Sequence, residues 1–284
     1  MSPTKWKNIL DYLANKFQFQ NGVFFSNSEF KDPFFHGIDY VSRSHNKIST
    51  TYYETQSIRK IVNSILEQRN IPETAVIGDF GSGDGRIVEM LLSSGYQNIV
   101  ANDIDYQSVL KIKSRYNCIA VQSDFKNLEF PQESFDVIVA WGLFTLLEDF
   151  TKSVYKAGQW LKKGGILINA EPTLESVLTY CLVRQDIEEF NRTLHSSSRA
   201  RMWHEKEIRY KVYLTEELHT FMRSVKNLNL REVKNLSIFP SLVVGGYFQE
   251  HPLPESYQKE ILDKINFDKL SGIPRQIIFV SQRL

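Results

Sequence analysis

The sequence predicts an α/β fold, a mostly parallel sheet with helices on both faces. Three features predict it: short apolar segments at regular spacing, helical periodicity between them, and a glycine-rich turn that joins the first segment to a helix. The segments are AVIGDF at 75–80, NIVANDI at 98–104, CIAVQ at 118–122, FDVIVAW at 135–141 and GILINA at 165–170. Each is separated from the next by enough chain for a crossover helix, and their near-continuous apolar character fits strands covered on both faces. LREVKNLSIF at 230–239 and RQIIFVSQ at 275–282 supply two more strands, making a seven-stranded sheet.

Residues 5–18 place apolar side chains at helical spacing, whereas 19–50 are rich in Phe, Ser, Asn, His and Asp without a period. Residues 1–53 are therefore expected to form an N-terminal helix and a long ordered lid. ETQSIRKIVNSILEQR at 54–69 returns to helical spacing through Ile58, Ile61, Val62 and Ile65, and Asn70-Ile71-Pro72 ends it. Residues 54–171 then make the core. After Pro172 the strand rhythm stops, and the charged, mostly helical pattern of 172–214 reads as a helical insertion between strands five and six. TEELHTFMRSV at 215–225 opens a new helix with Thr215 as the expected N-cap and Glu216 and Glu217 in its first turn, and 215–284 completes the core.

Composition narrows the function. Hydrophobic residues make up 42% of the 284 and charged residues 24%, which excludes a disordered or collagenous chain. Thirty-four Lys and Arg against 33 Asp and Glu leave a net charge of +1, so no global field draws the protein to nucleic acid or an anionic membrane. Cys118 and Cys181 are the only cysteines, too few for a thiolate zinc site and without a sign of an oxidising compartment; a cytoplasmic setting and no metal are expected. The apolar-rich run from Phe135 to Leu147 is short against the roughly 20 residues of a membrane span. Nothing in the sequence fixes an oligomeric state.

The chemistry-bearing segment runs from Val76 through Asp79, Gly81, Ser82, Gly83 and Gly85 to Arg86, an apolar strand entering a glycine turn and then a helix. Glycines permit positive φ and close approach of a ligand to the backbone at a helix N-terminus. A phosphate-binding P-loop requires Lys and Ser or Thr after the last glycine, and Arg86 and Ile87 stand there instead. A dinucleotide turn places its third glycine one residue later and a small residue where Arg86 stands. Asp79 would repel a pyrophosphate but can receive an ammonium group.

On these residues the sequence resembles the class I S-adenosylmethionine-dependent methyltransferases, whose first motif is acidic-x-Gly-x-Gly-x-Gly, matched by Asp79, Gly81, Gly83 and Gly85. The resemblance implies a Rossmann-like fold with a closing antiparallel hairpin and S-adenosyl-L-methionine as cofactor. It implies that Asp79 and the glycine turn, with Ser82, hold the methionine part. It places Asp103, with Asp105 as alternative, on the ribose hydroxyls, next to Ile104. Asp124 and Phe125 fall at the adenine, and Trp141 at the end of the fourth strand. Asp136 opens its strand at the opposite edge and is read as structural.

The segment AWGLFTLL stands where the family's enzymes for amino groups of bases or glutamine carry Asn-Pro-Pro-Tyr or Asp-Pro-Pro-Tyr, so DNA is not expected and a small-molecule acceptor is. An oxygen nucleophile needs a general base, for which His195, His204 and Tyr53 are the candidates. The aromatic cluster Phe34, Phe35, His36, Tyr40, Tyr52 and Tyr53 fits core packing residue by residue and a lid collectively. Met202 and Trp203 could meet it across a pocket, and Arg184, Arg192, Arg199, Arg201 and Arg209 give the insertion a basic tone that neighbouring carboxylates offset. Methylation of RNA or protein, or a cofactor-binding module without catalysis, are the alternatives.

Overall fold

The computed structural model describes residues 3–26, 40–45, 50–183, 185–203, 206–237 and 274–284. After α1 (Pro3–Lys16) come the short strands β1 (Gln18–Gln20) and β2 (Val23–Phe25), then α2 (Tyr40–His45) and α3 (Thr50–Gln68). The core continues with β3 (Val76–Phe80), α4 (Arg86–Ser93), β4 (Asn98–Asp103), α5 (Tyr106–Arg115), β5 (Ile119–Gln122), β6 (Phe135–Trp141), α6 (Phe150–Trp160) and β7 (Leu161–Glu171). Next come α7 (Leu174–Val183), α8 (Ile187–Ser196), β8 (Ser198–Trp203) and β9 (Lys206–Lys211), followed by α9 (Thr215–Ser224), β10 (Leu228–Ser237) and β11 (Pro274–Arg283).

The main sheet has the order β1-β2-β5-β4-β3-β6-β7-β11-β10. From β2 to β7 in that order every pairing is parallel. β11 is antiparallel to β7 and to β10, the expected closing hairpin. Alternation along the strands divides the core in two. In β6, Ile138 and Ala140 face one cluster and Val137 and Val139 the other; in β11, Ile277 and Phe279 oppose Ile278 and Val280. One cluster is aromatic, with the Phe80 and Trp160 ring centroids 5.3 Å apart. The other packs α3 and α4 through Ile58, Val62, Val88 and Leu91.

Three sequence expectations need correction. The sheet has nine strands in place of seven, because β1 and β2 form a hairpin on its β5 edge. Asn21 and Gly22, at φ 52 and 78, make its two-residue turn, and strands of three residues are too short to show alternation. The insertion is not helical throughout: β8 and β9 pair antiparallel as a separate two-stranded sheet. Only Ala200 and Met202, and Ile208 and Tyr210, mark its alternation, and the interleaved Arg and Lys read equally well as a helix surface. Finally, Leu214 is the N-cap of α9 in place of Thr215; its N–H donates to Glu217 Oε2 at 2.8 Å, and the Thr215 N–H donates to Glu175 Oε1 at 3.0 Å.

Candidate active site

From β3 the chain builds the sheet one way through β4 and β5, then returns to β3's other side for β6 and β7. At that reversal the C-terminal strand ends leave a crevice. A cleft of about 280 Å³ lies there. β11, running antiparallel, brings its first residues to the same edge, with Ile277 opposite Glu171 at the end of β7.

The three turn glycines have positive φ, 71 at Gly81, 54 at Gly83 and 98 at Gly85, for different reasons. A Cβ at Gly85 would lie 2.9 Å from Ile112 and Tyr116, so this glycine is required by packing of α4 on α5. At Gly81 a Cβ would meet Leu143 at 3.2 Å. At Gly83 it would meet nothing within 4 Å: the turn presents bare backbone to the cleft, as a ligand cradle needs.

Asp103 ends β4 beside that turn. Its Oδ2 accepts the Gly83 N–H at 2.7 Å and its Oδ1 the Asp105 N–H at 2.9 Å. Burial raises its pKa to about 6, against the lowering effect of these backbone bonds. Asp105 is engaged elsewhere, capping α5 through the Ser108 N–H at 2.9 Å and the Ser108 hydroxyl at 2.6 Å. Asp124 follows β5, takes the Lys126 N–H at 3.0 Å and pairs with the Lys126 ammonium at 3.1 Å. Phe125 is buried beside it, and Trp141 donates through Nε1 to Gln276 Oε1 at 2.7 Å.

Asp79 behaves differently from a cleft residue. It is fully buried, and neither carboxylate oxygen has a hydrogen-bond partner among the described residues. Burial, then the charge of Asp103, push its pKa up to about 8, with Arg86 opposing. Asp136 has the structural place expected, accepting the Val76 N–H at 2.8 Å and pairing with Lys162.

Of the cofactor residues named from sequence, Gly81, Ser82, Gly83, Asp103, Ile104, Asp124, Phe125 and Trp141 line the cleft; Asp79 and Gly85 do not. Two of the candidate bases, Tyr53 and His195, are not brought there. Tyr53 packs edge-on against Tyr52 at 5.2 Å outside the cleft lining, and His195 is exposed in the last turn of α8. His204, Phe34, Phe35, His36 and Arg184 lie outside the described residues, as do the side chains of Met202, Trp203, Arg201, Arg209 and Tyr40.

Sequence reasoning missed Glu54, Arg275, Gln276 and the wall formed by Leu143, Leu146 and Leu147. It also missed Glu171, fully buried at the end of β7, which accepts the Phe144 N–H at 3.1 Å and the Thr145 hydroxyl at 2.8 Å. The signal available was position at a strand end or start facing the crevice. Asp84, too, was passed over: it accepts the Val41 N–H at 2.9 Å, and with the His45–Glu89 contact at 2.9 Å it seats α2 on the glycine turn and α4.

Residues 78–169 match the family model of a methyltransferase domain. Among curated proteins, none matches this sequence. Solved structures share the fold at low identity. An S-adenosylmethionine-dependent methyltransferase from Mesorhizobium loti has 16% identity and a TM-score of 0.52 over 76% of this chain and 95% of its own. A putative methyltransferase of Haloferax volcanii, solved with the Trm112 methyltransferase activator, has 15% identity and a TM-score of 0.56 over 86% and 97%. The plantazolicin methyltransferase in complex with S-adenosylhomocysteine has 13% and 0.55 over 86% and 88%. With the glycine turn and the strand-end carboxylates, residues 78–169 carry the features of a methyltransferase domain. S-adenosyl-L-methionine is its cofactor. Among the described residues no helix is long and apolar enough to cross a membrane.

Proposed function

We propose that the enzyme methylates an oxygen or nitrogen of a small-molecule acceptor in the cytoplasm. Gly83 offers open backbone to the methionine part, and Asp103, at the cleft, accepts hydrogen bonds from ribose hydroxyls. Asp124 and Phe125 serve the adenine, with Ser82 and Ile104 completing the wall, and Asp79, protonated behind the turn at neutral pH without ligand, gives up its proton to become the counter-charge when the ammonium group arrives. The cofactor, when bound, supplies an activated methyl carbon for in-line displacement. What remains for the chain is to orient the acceptor and exclude water.

The observation that carries the reading is the apolar wall beside the turn. Leu143, Leu146, Leu147 and Trp141 line the cleft, and Leu146 also packs on the small core of the 172–214 insertion, formed by Leu174, Val177, Cys181, Tyr210 and Val212. The insertion lies behind this wall, in contact with Leu146, and α2 is seated on the glycine turn through the Val41 N–H to Asp84. We assign both the role of lids that shut water out of the cleft. The wall suits a small, partly apolar molecule better than a phosphate backbone, and the net charge of +1 agrees.

The test is to incubate the protein and S-adenosylmethionine separately with small-molecule, RNA and protein fractions of a cell extract and to measure S-adenosylhomocysteine. It should accumulate with the small-molecule fraction. Accumulation with RNA or protein alone overturns the acceptor class.

A further inference from the structure

Trp141 ends β6 and Gln276 is the third residue of β11, 135 residues further along the chain, yet their side chains meet at the cleft. The indole Nε1–H donates to Gln276 Oε1 at 2.7 Å. An indole nitrogen can only donate, so this bond decides which way round the Gln276 carboxamide stands: its oxygen faces Trp141 and its NH2 group is turned away. Nε2 lies 3.6 Å from the point where a side chain at residue 142 would begin, and that residue is Gly142, at φ 69 and itself part of the cleft lining. The amide group therefore rests over bare backbone. Among the described residues Gln276 makes no hydrogen bond besides the one to Trp141, so both donors of Nε2 are left for a ligand or water.

The place of these donors decides what they can read. The glycine turn, Asp103 and Asp124 follow β3, β4 and β5, whereas β6 and β7 stand between β3 and β11 in the sheet. Gln276 thus belongs to the side of the cleft where Leu143 follows Trp141 and Gly142, away from the residues assigned to the cofactor. Its carboxamide is neutral, and the NH2 group offers donors alone. A carbonyl oxygen, which accepts and carries no hydrogen of its own, satisfies such a group fully, whereas a hydroxyl brings a hydrogen that the group cannot receive. Gln276 is half-buried and tied at its oxygen, so it gives up little rotational freedom when it donates. Covering the NH2 group with a hydrocarbon of the same shape removes its water without replacing it, and the pair therefore discriminates as well as binds.

We propose that Gln276 is a specificity residue for the acceptor: Nε2 donates to a carbonyl oxygen of the molecule to be methylated, that of an amide, an ester or an aryl ketone, and Trp141 is the positioning residue that holds the carboxamide in this sense. The nucleophile is a different atom of the same molecule. The inference rests on the small-molecule reading only for assigning the carbonyl to the acceptor.

Acetophenone and α-methylstyrene test it on the full chain saturated with S-adenosylhomocysteine, because the two probes share a shape and differ by C=O against C=CH2. Ligand-observed NMR gives both dissociation constants, and their ratio is compared between proteins, so that the different cost of removing each probe from water cancels. Gln276→Glu keeps an oxygen for the Trp141 indole and replaces the donors by a second acceptor; it should shift the ratio against acetophenone by roughly threefold or more. Gln276→Leu should shift it the same way. Trp141→Phe keeps the donors but releases the carboxamide, and should shift it less. The indole N–H signal that Trp141→Phe removes should move in the unaltered protein when acetophenone is added, which locates the probe at the pair. Melting temperatures verify that each variant is folded. A ratio that the folded Gln276 variants leave unchanged, an indole signal that does not move, absence of binding by either probe, or displacement of acetophenone by S-adenosylhomocysteine overturns the subsite. Turnover on RNA or protein would instead strike the small-molecule reading and leave the ratio standing. If S-adenosylhomocysteine itself did not bind, the cofactor reading would fail, and the ratio measured without it would still decide the subsite.

Discussion

The Gly83 N–H donates to Asp103 Oδ2 at 2.7 Å, so the glycine turn after β3 and the carboxylate ending β4 are one unit. The same carboxylate takes the Asp105 N–H through its other oxygen, which fixes its plane at the cleft. In the proposed role of ribose reader, a carboxylate already oriented in this way loses little entropy when hydroxyl groups arrive.

Asp103→Ala should therefore weaken S-adenosylhomocysteine by roughly ten- to a hundredfold, the effect of losing charge-assisted hydrogen bonds. The Asp103 pKa of about 6 adds a signature. Its carboxylate is ionised above that pH, so affinity should drop as pH falls through 6 in the unaltered protein, and Asp103→Asn should not show this step. Calorimetry across pH 5 to 8 checks both; equal affinity in Asp103→Ala removes the residue from the site.

Gly83 and Gly85 should separate binding from folding. A methyl group at Gly83 enters open cleft space at φ 54, so Gly83→Ala should cost about 1 to 2 kcal/mol in backbone strain and should selectively lower cofactor affinity. Gly85→Ala forces a Cβ to 2.9 Å from Ile112 and Tyr116, and should lower the melting temperature more than Gly83→Ala does. Melting curves alongside titrations of the two variants read the contrast. Identical profiles would mean that the ligand does not approach Gly83.

Asp79 predicts an unusual pH dependence of stability in the protein without ligand. Its folded pKa of about 8 lies above the ordinary aspartate value of 3.8, so the folded state binds the proton more tightly. Stability from this group is present at low pH and is lost as pH rises from about 4 to 8, with a slope approaching 1.4 kcal/mol per pH unit. Asp79→Asn should remove that part of the slope in denaturant titrations between pH 5 and 8. A slope unchanged by the substitution would mean that another group carries it.

The core was legible because β3 to β7 are apolar runs long enough to show their character, and because the glycine turn and the carboxylates at Asp103 and Asp124 stand at successive strand ends. What sequence could not show are partners brought together over long separations. Glu54 and Arg275 meet only because β11 turns back antiparallel to β7, and nothing local to either residue announces it. Asp105 is locally as attractive as Asp103 until its hydrogen bonds show it serving α5. His195 carries the right chemistry for a base, but its helix leaves it in solvent, where it complements the helix C-terminus.

Glu171 should prove to be a positioning residue for the acceptor wall. It is fully buried, accepts the Phe144 N–H at 3.1 Å, the Thr145 N–H at 3.3 Å and the Thr145 hydroxyl at 2.8 Å, and so pins the turn that follows β6. That turn begins at Leu143, whose side chain sits over Gly81 and lines the cleft with Leu146 and Leu147. Burial raises the Glu171 pKa to about 7, against the lowering effect of the Thr145 and Phe144 bonds, so near neutral pH the latch is partly protonated. Glu171→Ala leaves two buried N–H groups and a hydroxyl without their acceptor, and the loss should be about 1 to 3 kcal/mol for each group that water does not reach. Glu171→Gln keeps the shape and an acceptor oxygen, so it should stay folded and bring the amides of Phe144 and Thr145 into faster hydrogen exchange. With the wall loosened, Leu143 no longer bears firmly on Gly81, and S-adenosylhomocysteine affinity should fall several-fold. In the unaltered protein the exchange of those two amides should slow as pH rises through 7, once the intrinsic pH dependence of exchange is divided out, and in Glu171→Gln that correction should leave nothing. If both amides exchange alike in the two proteins, the wall is held by its apolar packing and Glu171 plays no part in setting it.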